Sequence, residues 1–258
     1  MDRQTAVKKL KAFLGLQRGV VGVKLVKSWQ EYARYQGIEL KKPLHYCVAV
    51  KSAMKGHSIK MDRTTAGCGG GNRALGLAES PPEFFDGTNG AKLGLYKDAA
   101  VAAAVAHAVP ICPPDTYGVV IKPLEMFEGD PDVVLLAAPP RTIMRVLLGY
   151  TYTYGLPQGM QMSGNRAVCL ECTATPLKTR SLNVSMFCAG TRYNAGWQDH
   201  EALTGIPFNR FYGTVKGIED TVNPIELDKE KKRIEAELRR DDALEIEVEY
   251  GKTYFKQY

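Results

Sequence analysis

One order of elements is written twice along this chain, and that repetition limits the folds open to it. The first pass runs strand (Val21–Val26), helix (45–55), Gly56, strand (59–61) and then Cys68. The second runs strand (Val133–Ala138), helix (141–154), Gly155, strand (160–162) and then Cys169. Strand–helix–strand units bury a sheet face beneath their helices. The chain is therefore predicted to be α/β or α+β, a compact mixed sheet with helices. The repetition further predicts two duplicated halves around a pseudo-twofold axis, with Cys68 and Cys169 brought together.

Local patterns fill in the remainder. Ala6, Val7, Leu10, Phe13 and Leu14 recur at helical spacing and predict a helix over 4–16. Short helices are expected at 29–36 and 72–77, and an alanine-rich one at Ala99–Ala108, with a loop around Phe84 and Phe85. Valine-rich 118–124 and 132–138 predict strands joined by the turn Glu128-Gly129-Asp130-Pro131. Tyr150, Tyr152 and Tyr154 alternate like a strand, but the Pro139-Pro140 entry and the upstream spacing favour a helix. The runs 167–173 and 182–186 read as extended pieces. An amphipathic helix is expected at 229–240 and an alternating strand at 244–250. This gives a unit over 1–220, with halves 1–115 and 116–220, and a C-terminal helix and strand over 221–258 packed on it.

Composition narrows the function. The 258 residues are 45% hydrophobic and 24% charged, enough to bury a core. The net charge of +6 is partly concentrated in 228–242, where the signs mix as on a solvated helix face. No nucleic-acid partner is expected. The apolar run 99–109 contains His107 and stops at Pro110, too short for a membrane span. No secretory signal is expected at the start of the chain. A cytoplasmic location is expected, where six cysteines point to metal or redox chemistry before disulfides. Dinucleotide-binding, P-loop, zinc-protease, hydrolase and kinase signatures are absent.

Cys47, Cys68, Cys112, Cys169, Cys172 and Cys188 are scattered, and Cys169-Leu170-Glu171-Cys172 alone has chelate spacing. That pair admits zinc, cluster or redox readings. Cys68 sits in Gly67-Cys68-Gly69-Gly70-Gly71, a turn that lets backbone N–H groups approach a bulky ligand. Cys188 precedes Ala189-Gly190-Thr191-Arg192, another tight turn with a cation, and Cys47 opens a helix. These surroundings predict an anion-stabilised thiol site. His45, His57, His107 and His200 are dispersed, and Asp199-His200-Glu201 reads as a solvated loop with acid–base groups.

Several blocks together resemble a known family. They are His45-Tyr46-Cys47-Val48-Ala49-Val50, Cys68-Gly69-Gly70 with Ala74-Leu75-Gly76-Leu77, and Pro123-Leu124-Glu125. Pro131-Asp132-Val133-Val134, Ala167-Val168-Cys169 and Cys188-Ala189-Gly190-Thr191-Arg192, with Asp199, Glu201, Ile206 and Pro207, continue the order. Over about 5–215 the chain is similar to domain-of-unknown-function family 169, the archaeal cysteine-rich proteins. The resemblance supplies no activity. It implies that Cys47, Cys68, Cys169 and Cys188 belong to a shared pattern, which suits a four-thiolate centre. The family's prevalence in anaerobes tilts a [4Fe–4S] cluster above zinc. In that reading Gly69, Gly70 and Gly190 give close backbone approach and Arg192 offsets thiolate charge. Electron transfer or redox catalysis follows, with a redox partner protein or small-molecule substrate and room for a homo-oligomer. The alternatives are a zinc- or cofactor-binding accessory or sensor module, or a thiol–disulfide oxidoreductase using Cys169 and Cys172.

Overall fold

A computed structural model describes residues 1–240; the alternating segment 244–250 lies outside the described residues. Seven strands build one sheet: β1 (Val21–Val26), β2 (Ile38–Glu39), β3 (Ile59–Asp62), β4 (Gly118–Pro123), β5 (Val133–Ala138), β6 (Asn183–Ser185) and β7 (Ala202–Pro207). Their order is β2-β3-β4-β1-β5-β7-β6, antiparallel except for the short β2–β3 pair. In the first half stand α1 (Arg3–Leu14), α2 (Trp29–Arg34), α3 (Tyr46–Ala53), α4 (Gly69–Ala74), α5 (Pro82–Phe85), α6 (Thr88–Lys92) and α7 (Ala99–Ala108). In the second stand α8 (Pro140–Tyr154), α9 (Thr175–Thr179), α10 (Ala189–Ala195), α11 (Phe208–Asp220), α12 (Val222–Ile225) and α13 (Asp228–Arg239). The stretch Ala167–Ala174 is wound as a π-helix. Among the described residues no helix is long and apolar enough to cross a membrane.

Helices cover both faces of the sheet. Strand alternation sends Val21, Val23 and Leu25 of β1, and Val133, Leu135 and Ala137 of β5, to a face packed under α3, α4, the π-helix and α10. Val134, Leu136 and Ala138 point oppositely, under α1, α8, α11 and α13. Because both faces are buried, central strands read as unbroken apolar runs, as in Val133–Ala138.

The strand pairing has a twofold correspondence, in a register other than the one read from the sequence. β1 and β5 pair antiparallel at the sheet centre, Val21 opposite Leu135, Gly22 opposite Val134 and Val23 opposite Val133. Exchanging β1 with β5 leaves that pairing unchanged. The same exchange carries β4 onto β7, since Val21 pairs with Pro123 as Val133 pairs with Pro207. It also carries β3 onto β6, each antiparallel to the next strand inward. The counterpart of α8 is thus α2, on the same outer face, and the counterpart of α3 is the π-helix. Cys47 corresponds to Cys169, and Cys68 corresponds to Cys188. The halves meet in the link 124–132, after β4, instead of at residue 115.

Other expectations also shift. Residues 160–162 form no strand: Gln161 exchanges hydrogen bonds with the Asn183 side chain (3.0 and 2.8 Å), so no backbone ladder forms beside β6. The run 167–173 is helical; all of its residues are buried, which removes the periodicity that separates helix from strand. α4 begins at Gly69, earlier than the helix expected at 72–77, because Cys68 caps it. Pro82–Phe85 is a short helix where a loop was expected.

Gly205 of β7 supports the π-helix from below. A Cβ there would lie 1.9 Å from the Cys172 carbonyl oxygen, a backbone atom that cannot swing aside. Gly205→Ala is expected to cost about 3 kcal/mol, read as a lowered urea midpoint at constant slope.

Candidate functional site

The twofold arrangement brings four cysteines from four elements to one cavity. Cys47 lies in the first turn of α3, Cys169 in the π-helix, and Cys68 and Cys188 are the N-caps of α4 and α10. α3 packs against α10, and α4 packs against the π-helix, so each half completes the other. The cavity between them has a volume of about 200 Å³ and is lined by all four of these cysteines. Cys112 and Cys172 are not on its wall.

The two capping cysteines repeat one local geometry. Cys68 Sγ accepts a hydrogen bond from the Gly71 N–H at 3.4 Å, and Cys188 Sγ accepts one from the Thr191 N–H at 3.4 Å. The Thr191 hydroxyl adds a 3.0 Å contact to Cys188 Sγ. A sulfur receiving such donors carries negative charge at lower cost. Gly71 is wedged between halves: a Cβ on it would stand 3.7 Å from Cys68 Sγ and 3.8 Å from Cys169 Cβ. Sequence reasoning thus joined Cys68 and Cys169 correctly as neighbours, though they are not symmetry mates.

The segments bearing the thiols are held in costly backbone conformations. Arg166 (φ 57°) starts the π-helix, and Phe187 (φ 68°) immediately precedes Cys188. Non-glycine residues rarely adopt this region, and it persists where surroundings enforce it. At Arg166 the reward is local: its carbonyl accepts from the N–H groups of Leu170 (2.8 Å) and Glu171 (3.3 Å) and from Cys169 Sγ (3.6 Å). Phe187 stacks on Trp197 with ring centroids 4.7 Å apart.

Burial dominates the thiol electrostatics. It pushes Cys47 up to about 12, and the Cys188 and Cys68 thiols add to the shift. Cys169 is raised well above 9.0, first by burial and then by Cys68, Cys47 and Cys188, while Arg166 pulls it down. Four sulfurs that repel one another in this way share one electrostatic site. Burial therefore favours the protonated thiols of Cys47 and Cys169 at neutral pH.

Not every expected residue belongs to the site. Gly70 and Gly190 are on the cavity wall; Gly69 is not, its nearest neighbour there being Arg73. Arg192 turns away from the thiols. It donates to the Met186 carbonyl at 3.0 Å and to the Gln198 carbonyl, and lies over Phe187, tying the loop that follows α10. The cation on the wall is Arg166, one turn before Cys169, joined by His45, Asn165, Thr191 and Asn194. Thr191, three residues after a capping Cys188, follows the spacing of a helix cap and was legible on that ground.

Cys172 faces the sheet. Its thiol is fully buried, donates to the Leu203 carbonyl at 3.5 Å, and is raised well above 9.0 by burial, then by Glu171 and Cys169. A π-helix takes more residues per turn than an α-helix, so Cys169 and Cys172 are turned apart. Glu171 between them accepts from Ser163 N (2.6 Å), Gly164 N (3.0 Å) and Ser185 Oγ. It is an anchor for the 160–164 segment. Cys112 is buried as well, which lifts its thiol to about 11.

Among the described residues no three His, Cys, Asp or Glu side chains converge as the ligands of one metal ion would. The four thiols stand around a void instead.

A family model described as DUF169, uncharacterised ArCR, matches residues 9–217. The chain is similar to the uncharacterized protein MJ0308 of Methanocaldococcus jannaschii, at 27% identity over 217 residues, covering 82% of this chain and 91% of that protein. No solved structure matches.

Glu201 is the acid of the 199–201 loop that the fold uses. Burial raises its carboxyl, but hydrogen bonds from Arg18 and the Gln198 N–H outweigh that and hold it below 4.5. The resulting stability is present above pH 4.5 and is lost as pH falls through the lower, folded value. Urea unfolding from pH 7 to pH 3 should show this loss in the native chain, with a flatter profile in Glu201→Gln.

Proposed function

The chain belongs to the DUF169 family of uncharacterised archaeal cysteine-rich proteins, and we propose that its four-thiol cavity carries a [4Fe–4S] cluster for electron transfer or redox catalysis. Cys47, Cys68, Cys169 and Cys188 are the ligands in this reading. One observation carries it: these four thiols line a single cavity that excludes Cys112 and Cys172. Held by those four thiolates, such a cluster would supply one-electron transfer at a potential set by its surroundings.

The chain's own residues supply the rest. The N–H groups of Gly71 and Thr191 donate to Cys68 Sγ and Cys188 Sγ. Arg166 lowers the cost of a thiolate at Cys169. Tyr46 holds α3 to the π-helix through its hydroxyl, 2.9 Å from Thr173 Oγ1. Lys51 holds α3 to α10 by donating to the Ala195 and Gly196 carbonyls at 2.8 and 2.6 Å. These ties fix the spacing of Cys47 from Cys169 and Cys188 across the two halves. Zinc would need the same sulfurs about 2.3 Å from one point. A dithiol reaction of Cys169 with Cys172 is opposed by the complete burial of the second thiol. The electron partner is a protein or a small molecule, met in a reducing compartment such as the cytoplasm.

Protein purified without oxygen should be brown and contain about four iron and four sulfide per chain. Serine at Cys47, Cys68, Cys169 or Cys188 should lower both contents at least several-fold, whereas Cys112→Ser and Cys172→Ser should leave them intact. Stoichiometric zinc without sulfide would replace the cluster with the zinc reading. Metal-free, colourless protein from anaerobic cells would end both.

A further inference from the structure

A second cavity of about 200 Å³ adjoins the thiol cavity, and the two share Gly70, Asn165 and Arg166. We propose that this second cavity binds the carboxylate of a small organic acid with a compact apolar body, seating it beside the four thiols. The unusual feature is a pair of arginines with no carboxylate partner among the described residues. Arg73 and Arg166 both lie over the Phe84 ring, 6.0 and 4.8 Å from its centroid, and form no ion pair among the described residues. Arg73 Nε and Arg166 Nη1 are buried without any hydrogen-bond partner. Elsewhere the half-buried Arg18 is paired with Glu201 and the buried Arg145 with Glu226. Two desolvated guanidinium groups side by side repel each other, and an anion removes both the repulsion and the unmet donors.

The remaining wall selects the body of the ligand. No Asp or Glu lines the cavity; Phe84, Tyr96, Leu93 and Leu95 give it an apolar surface, and Asn165 provides a neutral polar group. Leu93 and Leu95 are 65% and 55% exposed, so the lip opens to solvent. The volume lies below that of drug-sized sites, consistent with a small acid.

This cavity is also the principal asymmetry of the fold. Between α4 and β4 the first half inserts α5, α6 and α7, whereas the second half joins α10 to β7 through 196–201 alone. The insertion closes on itself, Cys112 N donating to the Ala74 carbonyl and Thr116 N to the Gly76 carbonyl, both at 3.0 Å. Its helices supply Phe84, Asn89 and Ala102 to the wall. An excursion added to one of two matched halves, forming one side of a cationic cavity, is what a ligand pocket requires. The inference goes beyond the cluster reading and does not depend on it.

Calorimetry on the full chain, purified anaerobically, tests the proposal with phenylacetate, 3-methylbutanoate, phenylacetamide and inorganic phosphate as probes. At least one acid should bind tenfold or more tightly than the neutral amide and than phosphate. Arg73→Gln should weaken that acid tenfold or more with iron and sulfide unchanged, and Arg166→Gln should weaken it to a similar degree. Should either variant fail to fold, Leu93→Glu at the open lip, which adds a competing carboxylate, should weaken the acid to a similar degree. Equal binding of acid and amide, no binding of either acid, or tighter binding of phosphate would overturn the proposal. So would loss of iron and sulfide in the arginine variants of a chain whose native form ignores both acids, which would assign the guanidinium groups to the thiolates. Acid binding to a chain without iron or sulfide would uphold the carboxylate site and end the cluster reading alone.

Discussion

Everything distinctive in this protein depends on how β1 meets β5. The two strands run antiparallel with Gly22 opposite Val134, and each half then lays its own strands outward from that seam. Backbone hydrogen bonds fix the register, because a one-residue slip would turn Val21, Val23, Val133 and Leu135 out of their shared core. With the register set, the helix following the first outer-face helix in each half is returned to the same inner face. Cys47 and Cys169 arrive on those helices, and Cys68 and Cys188 arrive at the caps just past β3 and β6. No thiol is close in sequence to its cavity neighbours; the seam assembles them.

Once assembled, the thiols sit where ordinary solvation is withdrawn and selected donors are returned. Burial raises Cys47 and Cys169, while backbone N–H groups reach Cys68 and Cys188. The strained backbone at Arg166 and Phe187 belongs to the same economy of placement, since each residue precedes a site cysteine by three positions or one. Lys51 and Tyr46 then hold α3 from two sides. The proposed cluster and the proposed acid site draw on one guanidinium, Arg166, which lines both cavities.

The two halves differ in what they carry on the shared strand plan. The first retains regular α3, while its counterpart is a buried π-helix with Cys172 packed on β7. The first also carries the α5–α7 excursion, and the second carries the long α8–α11 pair on the outer face. In that pair Gly149 and Gly217 permit close crossing, a Cβ on Gly217 falling 2.0 Å from the Gly149 carbonyl oxygen.

Local chemistry made much of this readable. Apolar spacing located α1, α8 and most strands, and the glycines around Cys68 and the turn after Cys188 marked two anion-friendly caps. The resemblance selected the four cysteines that line the cavity. What the one-dimensional pattern obscured were the segments buried on every side: the π-helix and β7 lack any polar stripe, so their periodicity carried no signal. Arg192 looked like the site cation because it is near Cys188 in sequence, yet the turn of α10 sends it to the loop carbonyls. Arg166 and Arg73 became visible as a pair only in three dimensions, where burial strips away their partners. Local sequence determined most of the elements, because propensity and capping act over a few residues; tertiary structure alone decided which thiols and cations meet, because that depends on strand register across distant parts of the chain.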